Sequence, residues 1–509
     1  MPFLSFATLQ KVAGGQWLVP PQDSSSGVDA LSDDSRNLPP GGLFLAIPGE
    51  LTDGHRHVGA ALEGGAGAVV LQSPPLPEWE ERMRRQGIPC LQVASSLAAY
   101  QQLALWHRSQ YPAAEVLAIT GSCGKTSTKE MCAAILERRF PGGVLKTQGS
   151  TNNHFGVPRN LFRIQDSTRV AVIEMGTNHP GEIASLAKLA PSRVGVVCNI
   201  GRAHLEAFHD LRGVAREKAS LFREILPGGM GVYPAEASGA DLLREAAPPG
   251  VRLLSFGTGE KADLQYQYLG FQNGRFHLRL LWKWLGQERR LEWALGGAHM
   301  AANAACAACA ATLLGCTPDQ AVEGLAECRL PGERMEIREK DGVRWVNDAF
   351  NANPTSVRAA LDWFAEVAPA TCPRFLALGD MLEGGEDSLL AHREILEYAR
   401  EKCPGAHLLL VGELYTRAAA QGNPIPAECF RTAAELGKRL EGNLPQGGWI
   451  LLKSSHGVGL SRLAPPNAGQ GRPGQSPLPS SPRENREGGV YSPLTPLAPP
   501  KGGNPAGTP

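Results

Sequence analysis

One short segment near residue 120 constrains the fold more than any other, because it joins a strand, a glycine turn and a helix start. The segment spans Glu115–Met131 and reads EVLAITGSCGKTSTKEM. The apolar run Val116–Ile119 has the length and composition of a buried parallel strand. A helical pattern opens at Lys125, directly after the turn. Since a parallel strand needs helices on its sheet faces, the segment predicts an α/β domain.

The same segment predicts a phosphate-binding loop. Glycines let backbone N–H groups approach phosphate oxygens, and the helix N-terminus adds partial positive charge. Lys125 is placed to reach the β- and γ-phosphates, and the Thr126 hydroxyl to ligate Mg²⁺. Ile119 stands where the full Walker spacing has a glycine, so the loop is a shortened G-x-x-G-K-T. We expect nucleoside triphosphate binding, with an ordinary strand–helix turn as the alternative. The expected ATP-binding residues of the loop are Gly121, Ser122, Cys123, Gly124, Lys125, Thr126 and Ser127.

Length and charge narrow the class of protein. The 509 residues suggest about three domains. Lys plus Arg equals Asp plus Glu at 50 each, which gives no support for a nucleic-acid surface or an anionic membrane partner. The N-terminus lacks the pattern of a secretory signal, and no apolar run reaches the length of a membrane span. We therefore expect a cytoplasmic protein without membrane insertion.

The 11 cysteines fit reduced thiols better than a disulfide framework, because they are scattered and odd in number. Cys306 and Cys309 have C-x-x-C spacing within the alanine-rich run AANAACAACAATLL. With no second pair nearby, we interpret them as small buried residues on one helix face. A metal or redox role is the alternative.

Short apolar runs alternate with helical patterns along most of the chain, which predicts mainly parallel sheets. Residues 1–93 form a small α/β unit, 94–327 a central unit with an antiparallel patch at Leu264–Leu295, and 328–463 a third α/β unit. From Ala464 to the end the chain is rich in Pro and Gly and poor in large apolar residues. Such a composition predicts a disordered tail over 464–509.

Polar residues follow several predicted strands, at the sheet edge where open α/β sheets bind ligands. Glu174 ends the run VAVIE and suits a Mg²⁺ ligand, although a surface glutamate is an open alternative. His204 follows VGVVCNIGRA, with a buried core histidine as the alternative. The loop TQGSTNNHFGVP is rich in amides that suit diphosphate or sugar hydroxyls, or is a plain turn. Similar strand-end groups in the third unit suggest one shared cleft, and they are Asp348, Asn351, Asn353, Asp380, Glu383 and His392.

These motifs together resemble the Mur ligases, the ATP-dependent amide-forming enzymes of peptidoglycan precursor assembly. The likeness covers residues 30 to about 463, with blocks in the expected order. The matching blocks are DDSRNLPPGGLFLAIPGELTDGH, ITGSCGKTSTKEM, TNNHFGVP, VIEMG, NIGRAHLEAF, VAREKASLF, GGAHMAANAACA, GERMEI, NDAFNANPTSVRAAL and LGDMLEGG. The last two favour the member that adds D-alanyl-D-alanine to UDP-N-acetylmuramoyl-tripeptide. The Asp-Asn-Pro-Arg signature usual in the diaminopimelate-adding member is not found.

The resemblance implies three domains: one for the uridine end of the substrate, a central one for ATP and Mg²⁺, and a Rossmann-like lid. By match to the family, Ser35 and Arg36 bind the uridine end, while Asn152, Asn153, Asn351 and Asn353 contact substrate. The family match also puts Asn303 against adenine, and Arg334 and Asp348 near the ATP ribose and phosphates. The implied metal ligands are Thr126, Glu174, His204 and Lys218, and the implied catalytic residues are Lys125, Lys218 and His204.

The implied reaction is ATP-dependent amide formation through an acyl phosphate, with ATP and Mg²⁺ as cofactors and small molecules as substrates. We expect a monomer. Two alternatives stay open: another Mur ligase or a folylpolyglutamate-synthase-like ligase, and an inactive Mur-like binding protein. The family commonly carries a carbamylated lysine in VAREKASLF, which implies that modification at Lys218, although a solvated helix lysine would be its ordinary role. Carbamylation would replace a cation with an anion that suits Mg²⁺.

The chain departs from the family pattern at a few positions. Ser150 stands where Asn is usual, and Phe350 where Tyr is common. The segment KSSHGVGL, which contains His456, replaces the usual Lys-Gly-Ser-Arg type of ending. The Pro/Gly tail stands in place of the family's C-terminal helix. These departures bear on the contacts that the third domain makes with ATP and the incoming amine.

Overall fold

The computed structural model describes residues 3–49, 52–202, 205–382, 387–442 and 444–466. Its α/β sheets are mainly parallel, which confirms the predicted fold class. The chain forms two compact units. Among the described residues, the first runs to Tyr111 and includes Leu161–Gln165, and the second contains Pro112–Asn160 and residues 166–466. The predicted boundaries near residues 93 and 327 stay predictions, and the predicted tail lies outside the described residues from 467 onward.

The first unit contains a five-stranded sheet of order β2-β7-β6-β5-β4, in which only β2 is antiparallel to its neighbour. A separate antiparallel pair joins β1 to β3. The strands are β1 (Leu4–Ser5), β2 (Gln16–Val19), β3 (Gly27–Val28), β4 (Leu31–Ser32), β5 (Leu43–Leu45), β6 (Ala68–Leu71) and β7 (Cys90–Gln92). The helices are α1 (Phe6–Ala13), α2 (Val58–Glu63), α3 (Pro77–Gln86) and α4 (Ser96–Ser109).

The second unit begins with a nine-stranded sheet of order β16-β15-β14-β13-β12-β11-β8-β10-β9. All pairs among its first seven strands in the chain, up to β14, are parallel. The pairs β14–β15 and β15–β16 are antiparallel, as predicted. The strands are β8 (Glu115–Thr120), β9 (Val144–Lys146), β10 (Val170–Glu174), β11 (Ser192–Val197), β12 (Ile225–Pro234), β13 (Arg252–Gly257), β14 (Leu264–Gln272), β15 (Arg275–Trp282) and β16 (Gln287–Trp293). The helices are α5 (Lys125–Arg139), α6 (Gly156–Leu161), α7 (Glu182–Leu189), α8 (Leu205–Phe208), α9 (Leu211–Arg223), α10 (Ala240–Ala246), α11 (Ala298–Leu313) and α12 (Pro318–Glu327).

A six-stranded sheet of order β17-β18-β22-β19-β20-β21 completes the second unit. Only the β17–β18 pair is antiparallel. The strands are β17 (Glu336–Lys340), β18 (Val343–Asn347), β19 (Arg374–Gly379), β20 (His407–Val411), β21 (Glu428–Phe430) and β22 (Trp449–Lys453). The helices are α13 (Pro354–Val367), α14 (Ser388–Lys402), α15 (Glu413–Ala420) and α16 (Ala433–Leu440).

The alanine-rich helix α11 packs inside the second unit, because its small side chains allow close approach to the sheet. Cys306 and Cys309 on this helix are fully buried in the apolar core. All eleven cysteines are free thiols, so the interpretation of this pair as small core residues is confirmed. Among the helices that the structure describes, none combines the length and the hydrophobicity needed to cross a membrane.

Strand register brings the ends of three neighbouring strands to one edge of the nine-stranded sheet. Glu174, the last residue of β10, pairs with Ile119 of β8, and Val197, the last residue of β11, pairs with Thr120. The segments that follow these strands therefore leave the sheet side by side. This edge carries the glycine turn and Glu174, whereas Asp348 and Asp380 follow strands of the six-stranded sheet described above.

Candidate active site

The glycine turn has the close backbone packing that a phosphate-binding loop requires. Gly124 has φ +79°, and a Cβ there would lie 2.4 Å from Asn303 Oδ1. A Cβ at Gly121 would lie 2.4 Å from Cys198 Sγ. Larger residues are excluded at both positions because of these contacts. The Lys125 ammonium group donates to the Gly121 carbonyl at 2.9 Å and so folds back over the loop.

The loop is anchored to the segment that follows β11. Ser122 Oγ donates to the Gly201 carbonyl at 3.1 Å and accepts from the Gly201 N–H at 3.0 Å. The Ser122 N–H donates to the Asn199 carbonyl at 3.1 Å, and Cys198 Sγ donates to the Cys123 carbonyl at 3.2 Å. Ser122 is therefore engaged in holding the loop, and a phosphate contact from it would replace one of these bonds.

Thr126 and Glu174 meet at the start of α5. Thr126 Oγ1 donates to Glu174 Oε1 at 3.2 Å, and Asn152 Nδ2 donates to the same oxygen at 2.8 Å. The Glu174 side chain is buried, and within the described chain its second oxygen, Oε2, has no hydrogen-bond partner. A buried carboxylate oxygen without a donor is costly, and a bound cation would satisfy it. This pair therefore fits a Mg²⁺ site.

Lys218 is buried on α9, with 2% of its surface exposed. Burial, followed by the nearby Lys125 charge, lowers the pKa of Lys218 to about 7. Its neighbour Glu217 accepts from the N–H groups of Gly181 and Ile183, both at 2.8 Å, and so caps the start of α7. The alternative of a solvated helix lysine is therefore wrong for Lys218, and its carbamylation stays a prediction.

Two observations concern the other predicted metal ligands. His204 lies outside the described residues. In the part of the chain that the structure describes, no three His, Cys, Asp or Glu side chains group together as metal ligands. The predicted metal set of Thr126, Glu174, His204 and Lys218 therefore stays a prediction.

Arg334 extends from the loop before β17 to the phosphate loop. Its Nη2 atom lies 3.3 Å from Thr126 Oγ1 and donates to it, and it lies 3.5 Å from Ser150 Oγ. The guanidinium also stacks on the Phe350 ring, with 3.9 Å between Cζ and the ring centroid. Arg334 precedes β17 and Phe350 follows β18 of the six-stranded sheet, whereas Thr126 follows β8 of the nine-stranded sheet. Residues next to both sheets of the second unit therefore meet at this point.

Asp348 follows β18 and organises the loop that carries Arg334. Its Oδ1 atom accepts from the Met335 N–H at 3.2 Å, and its Oδ2 atom pairs with Lys453 Nζ at 2.7 Å. Lys453 also donates to the Asn351 carbonyl at 2.8 Å. Asp348 is therefore part of a buried polar network, which leaves its expected nucleotide contact a proposal.

Several predicted substrate residues have local structural partners. Asn153 Oδ1 accepts from the Gly156 N–H at 2.9 Å, and Asn353 forms a capping box with Ser356 at the start of α13. In the first unit, Ser35 begins a short turn capped by Asp34, and the exposed Arg36 pairs with the same carboxylate. The substrate contacts of these residues stay predictions.

Asp380 and His392, which the sequence suggested as cleft residues, both hold nearby backbone N–H groups in the structure. Asp380 accepts from the N–H groups of Leu414 at 3.1 Å and Tyr415 at 2.9 Å, which caps α15. His392 Nε2 accepts from the Met381 N–H at 3.0 Å, and burial lowers its pKa, so the neutral ring is favoured. Glu383 lies outside the described residues.

Two buried lysines beside the site, Lys129 and Lys453, were not selected from the sequence. Lys129 is buried on α5, where its ammonium group donates to the carbonyls of Thr147 at 2.9 Å and Gly149 at 3.2 Å. It also pairs with Glu130 at 3.0 Å. Lys453 ends β22, so the same strand-end argument that selected Glu174 would have found it. Lys129 carries no such signal, because a lysine inside a helix is ordinarily solvated.

Family models match most of the chain. The model of the Mur ligase middle domain matches residues 119–311, and the Mur ligase glutamate ligase domain matches 333–456. A model described as the Mur ligase family catalytic domain matches residues 28–104.

Curated relatives and solved structures are similar over nearly the whole chain. The UDP-N-acetylmuramoyl-tripeptide–D-alanyl-D-alanine ligase of Mycobacterium tuberculosis (strain CDC 1551 / Oshkosh) is 31% identical, over 91% of this chain and 97% of the relative. The ligase of that name from Escherichia coli (strain K12) is 34% identical, over 74% and 80%. A crystal structure of MurF from Acinetobacter baumannii is 30% identical, with a TM-score of 0.80, over 90% of this chain and 97% of that one.

Proposed function

The chain belongs to the Mur ligase family, and we propose that it joins D-alanyl-D-alanine to UDP-N-acetylmuramoyl-tripeptide, with conversion of ATP to ADP and phosphate. The relatives that support this substrate pair are about one third identical and are matched over most of their length. The family resemblance of the motifs around Lys125 and in the third unit implies the same class of reaction. The peptide product carries a new amide bond between the tripeptide carboxyl group and the dipeptide amine.

One observation in the molecule carries this proposal: Arg334 donates to Thr126 Oγ1, and Thr126 donates to Glu174. The three groups come from the third family region, the phosphate loop and a neighbouring strand end. A cation, a carboxylate and a loop of backbone N–H groups at one place suit the polyphosphate of a nucleotide.

The reaction has two steps. A carboxylate cannot acylate an amine directly, because its leaving group would be oxide. Transfer of the ATP γ-phosphoryl group to the tripeptide carboxylate forms an acyl phosphate and ADP. The dipeptide amine then attacks the acyl carbon, loses a proton and expels phosphate. Lys125 and Arg334 stabilise negative charge on the transferred group, and the glycine loop orients the phosphates.

Mg²⁺ fits the chemistry of the site, since Thr126 and Glu174 offer oxygen ligands and Glu174 Oε2 is buried without a donor in the described chain. A bound Mg²⁺ would neutralise charge on the β- and γ-phosphates. We propose Thr126, Glu174 and His204 as metal ligands, and a carbamylated Lys218 as a ligand of a second Mg²⁺. Asn152, by holding Glu174 Oε1 at 2.8 Å, fixes the orientation of that carboxylate.

The remaining assignments follow the family match. We propose that Asn303 contacts adenine, because it packs directly against Gly124 of the phosphate loop. Ser35 and Arg36 are proposed to hold the uridine end, and Asn351 and Asn353 to contact the peptide end. A monomer is sufficient for the phosphate site, since one chain supplies Lys125, Thr126, Glu174 and Arg334. The proposed setting is the cytoplasmic stage of peptidoglycan precursor synthesis.

The test is ADP release with UDP-N-acetylmuramoyl-tripeptide and D-alanyl-D-alanine, with each substrate omitted in turn. We expect release only when all three substrates are present, together with a product of the mass of the pentapeptide. Single amino acids and a folate acceptor replace the dipeptide and the tripeptide as controls. Turnover with one of these controls alone would favour another ligase of the family. ATP binding without any turnover would favour an inactive binding protein.

A further inference from the structure

The contact between Arg334 and Phe350 is the most specific feature of the site that the family match does not explain. The guanidinium lies over the face of the ring, with Cζ 3.9 Å from the centroid. The Phe350 ring also lies near His456, at 6.0 Å between ring centroids. Phe350 and His456 are both departures from the family pattern, and Phe350 is the shared neighbour of Arg334 and His456. The ring face makes the contact, so a phenylalanine supplies it as well as a tyrosine would.

The backbone around Arg334 is held in an unusual conformation. Glu333 has φ +66° and Met335 has φ +54°, so both neighbours of Arg334 are in the left-handed region. Residues other than glycine rarely adopt that region, and they keep it only where the surroundings fix it. The Met335 N–H donates to Asp348 at 3.2 Å, and the Glu333 N–H donates to Glu336 at 3.3 Å. The chain therefore directs Arg334 at the phosphate loop against a local backbone preference.

The Thr126 hydroxyl already has two hydrogen-bond partners, and a Mg²⁺ ion bound to its oxygen would be repelled by one of them, Arg334. Thr126 Oγ1 donates its hydrogen to Glu174 Oε1 and accepts from Arg334 Nη2. A Mg²⁺ ion could take the remaining lone pair of this oxygen, but it would then lie next to the Arg334 guanidinium, and the two positive charges would repel each other. Arg334 must therefore leave Thr126 when Mg·nucleotide binds, while staying close enough to reach the phosphates.

We propose that Phe350 is the positioning residue for this exchange: its ring keeps the Arg334 guanidinium against the phosphate loop while the guanidinium moves from Thr126 to the nucleotide phosphates. This inference rests on the proposed ATP-dependent function. A stack on a ring face suits such a movement, because the guanidinium can slide in its own plane without losing the contact. Hydrogen bonds to fixed acceptors would not allow that movement.

The test is a double-mutant cycle in the full chain, using Phe350→Leu, Arg334→Ala and the double variant. Affinity for Mg·ADP is measured by calorimetry without tripeptide or dipeptide, so the readout does not depend on ligase turnover. Loss of a cation–π contact predicts about 3- to 30-fold weaker binding for Phe350→Leu. In the Arg334→Ala background the same change should have no further effect, since the ring acts through Arg334. Phe350→Tyr should bind like the wild type.

Tyr398→Leu is the matched control, because it removes another such stack from the same part of the chain. Arg358 of α13 lies over the Tyr398 ring of α14, at 4.5 Å from the centroid. Nucleotide affinity should be unchanged in this variant. The unfolding temperature of each variant shows whether weaker binding reflects a loss of folding. If Phe350→Leu is unfolded, Phe350→Met is used as a less disruptive substitution.

Two results would overturn the role of Phe350: unchanged Mg·ADP affinity in Phe350→Leu, or the same loss with and without Arg334. Failure of the ligase assay with intact coupling between these residues counts against the proposed substrates alone. Full ligase activity without coupling counts against Phe350 alone. The two proposals are therefore tested separately.

Discussion

Thr126 Oγ1 lies 3.2 Å from Glu174 Oε1, and this hydrogen bond joins the first turn of α5 to the end of β10. Strand register makes the contact possible, because Glu174 pairs with Ile119 on the strand that leads into the phosphate loop. The carboxylate keeps a second, buried oxygen without a donor among the described residues. That arrangement is stable only when a cation completes it or when the free energy lost there is offset elsewhere.

Glu174→Gln tests this arrangement directly. The amide keeps the size of the side chain and can still accept from Thr126, but it loses the charge that a Mg²⁺ ion needs. We expect the Mg²⁺ dependence of nucleotide binding to be lost and kcat to fall by at least about 100-fold. The measurement is nucleotide affinity with and without Mg²⁺, followed by ADP release.

Glu115→Gln is the matched control, since Glu115 begins β8 at the opposite edge of the same sheet. It forms only a loose, half-exposed pair with Arg193 at 3.7 Å. Mg²⁺-dependent binding should be unchanged in this variant. If Glu174→Gln also keeps it, Glu174 is not a metal ligand.

Lys125→Ala should abolish turnover and leave the fold intact. The ammonium group lies over the loop on the Gly121 carbonyl at 2.9 Å, a bond that the phosphates would replace. Its loss removes charge stabilisation during phosphoryl transfer, which is worth at least about 100-fold in kcat. ADP release and the unfolding temperature are measured together, with Lys188→Ala on the exposed end of α7 as the control. More than about a tenth of wild-type kcat would contradict the phosphate-loop assignment.

Strand-end reasoning predicted the parts of the site that depend on one sheet. Glu174 was found because the ends of parallel strands meet at one edge, a property of the strand pattern itself, and Thr126 was found from the phosphate-loop motif that follows β8. The same reasoning also selected Asp380, whose carboxylate caps the next helix in the structure. The sequence offers no signal for the difference, since both roles place a carboxylate between a strand and a turn.

Contacts that depend on packing between distant segments were not predictable. Arg334 meets Thr126 and Ser150 across more than 180 residues of chain, and its stack on Phe350 needs two left-handed residues that no propensity favours. Only the family match had suggested Arg334 at all. The burial of Lys218 was also hidden, because VAREKASLF has the charge pattern of a surface helix.

Glu217→Ala should destabilise the fold more than it affects the chemistry. The carboxylate accepts from the N–H groups of Gly181 and Ile183 at the start of α7, and its removal leaves the buried Ile183 N–H without this partner. We expect a loss of about 1–3 kcal/mol in the free energy of unfolding, measured by urea denaturation. Glu217→Gln should lose less, and Glu245→Ala on exposed α10 almost nothing. Equal stability of Glu217→Ala and the wild type would refute the capping role.

Truncation after residue 466 should leave both activity and the unfolding temperature unchanged, on the basis of the Pro/Gly composition of 467–509. Truncation after Leu463 should be slightly more destabilising, because Arg338 Nη1 donates to the Pro465 carbonyl at 2.5 Å and Ala464 packs against an apolar cluster. Thermal unfolding of the two truncated chains separates these contributions. A large loss on removal of 467–509 would mean that this segment contributes to the fold.

Carbamylation of Lys218 is the last prediction, and it follows from burial as well as from the family match. CO₂ reacts only with the neutral amine, and burial together with the Lys125 charge lowers the pKa of Lys218 to about 7. About a tenth of the amine is therefore neutral at pH 6 and about nine tenths at pH 8. In ¹³C-bicarbonate, an NMR carbamate signal should accordingly rise between these pH values in the wild type. It should be absent from Lys218→Arg and present in the surface control Lys188→Ala.

Activity should depend on this modification, because the carbamate replaces an ammonium group that would repel Mg²⁺ with an anion that binds it. Lys218→Ala is therefore expected to be nearly inactive, and acetate or formate should partly restore turnover by supplying oxygen atoms in the space left by the side chain. Restoration by a carboxylate, and none by chloride at equal ionic strength, separates a missing ligand from a damaged fold. Near-normal activity of Lys218→Ala, or a wild-type enzyme that turns over without any carbamate signal, would show that Lys218 acts unmodified or takes no part in the reaction.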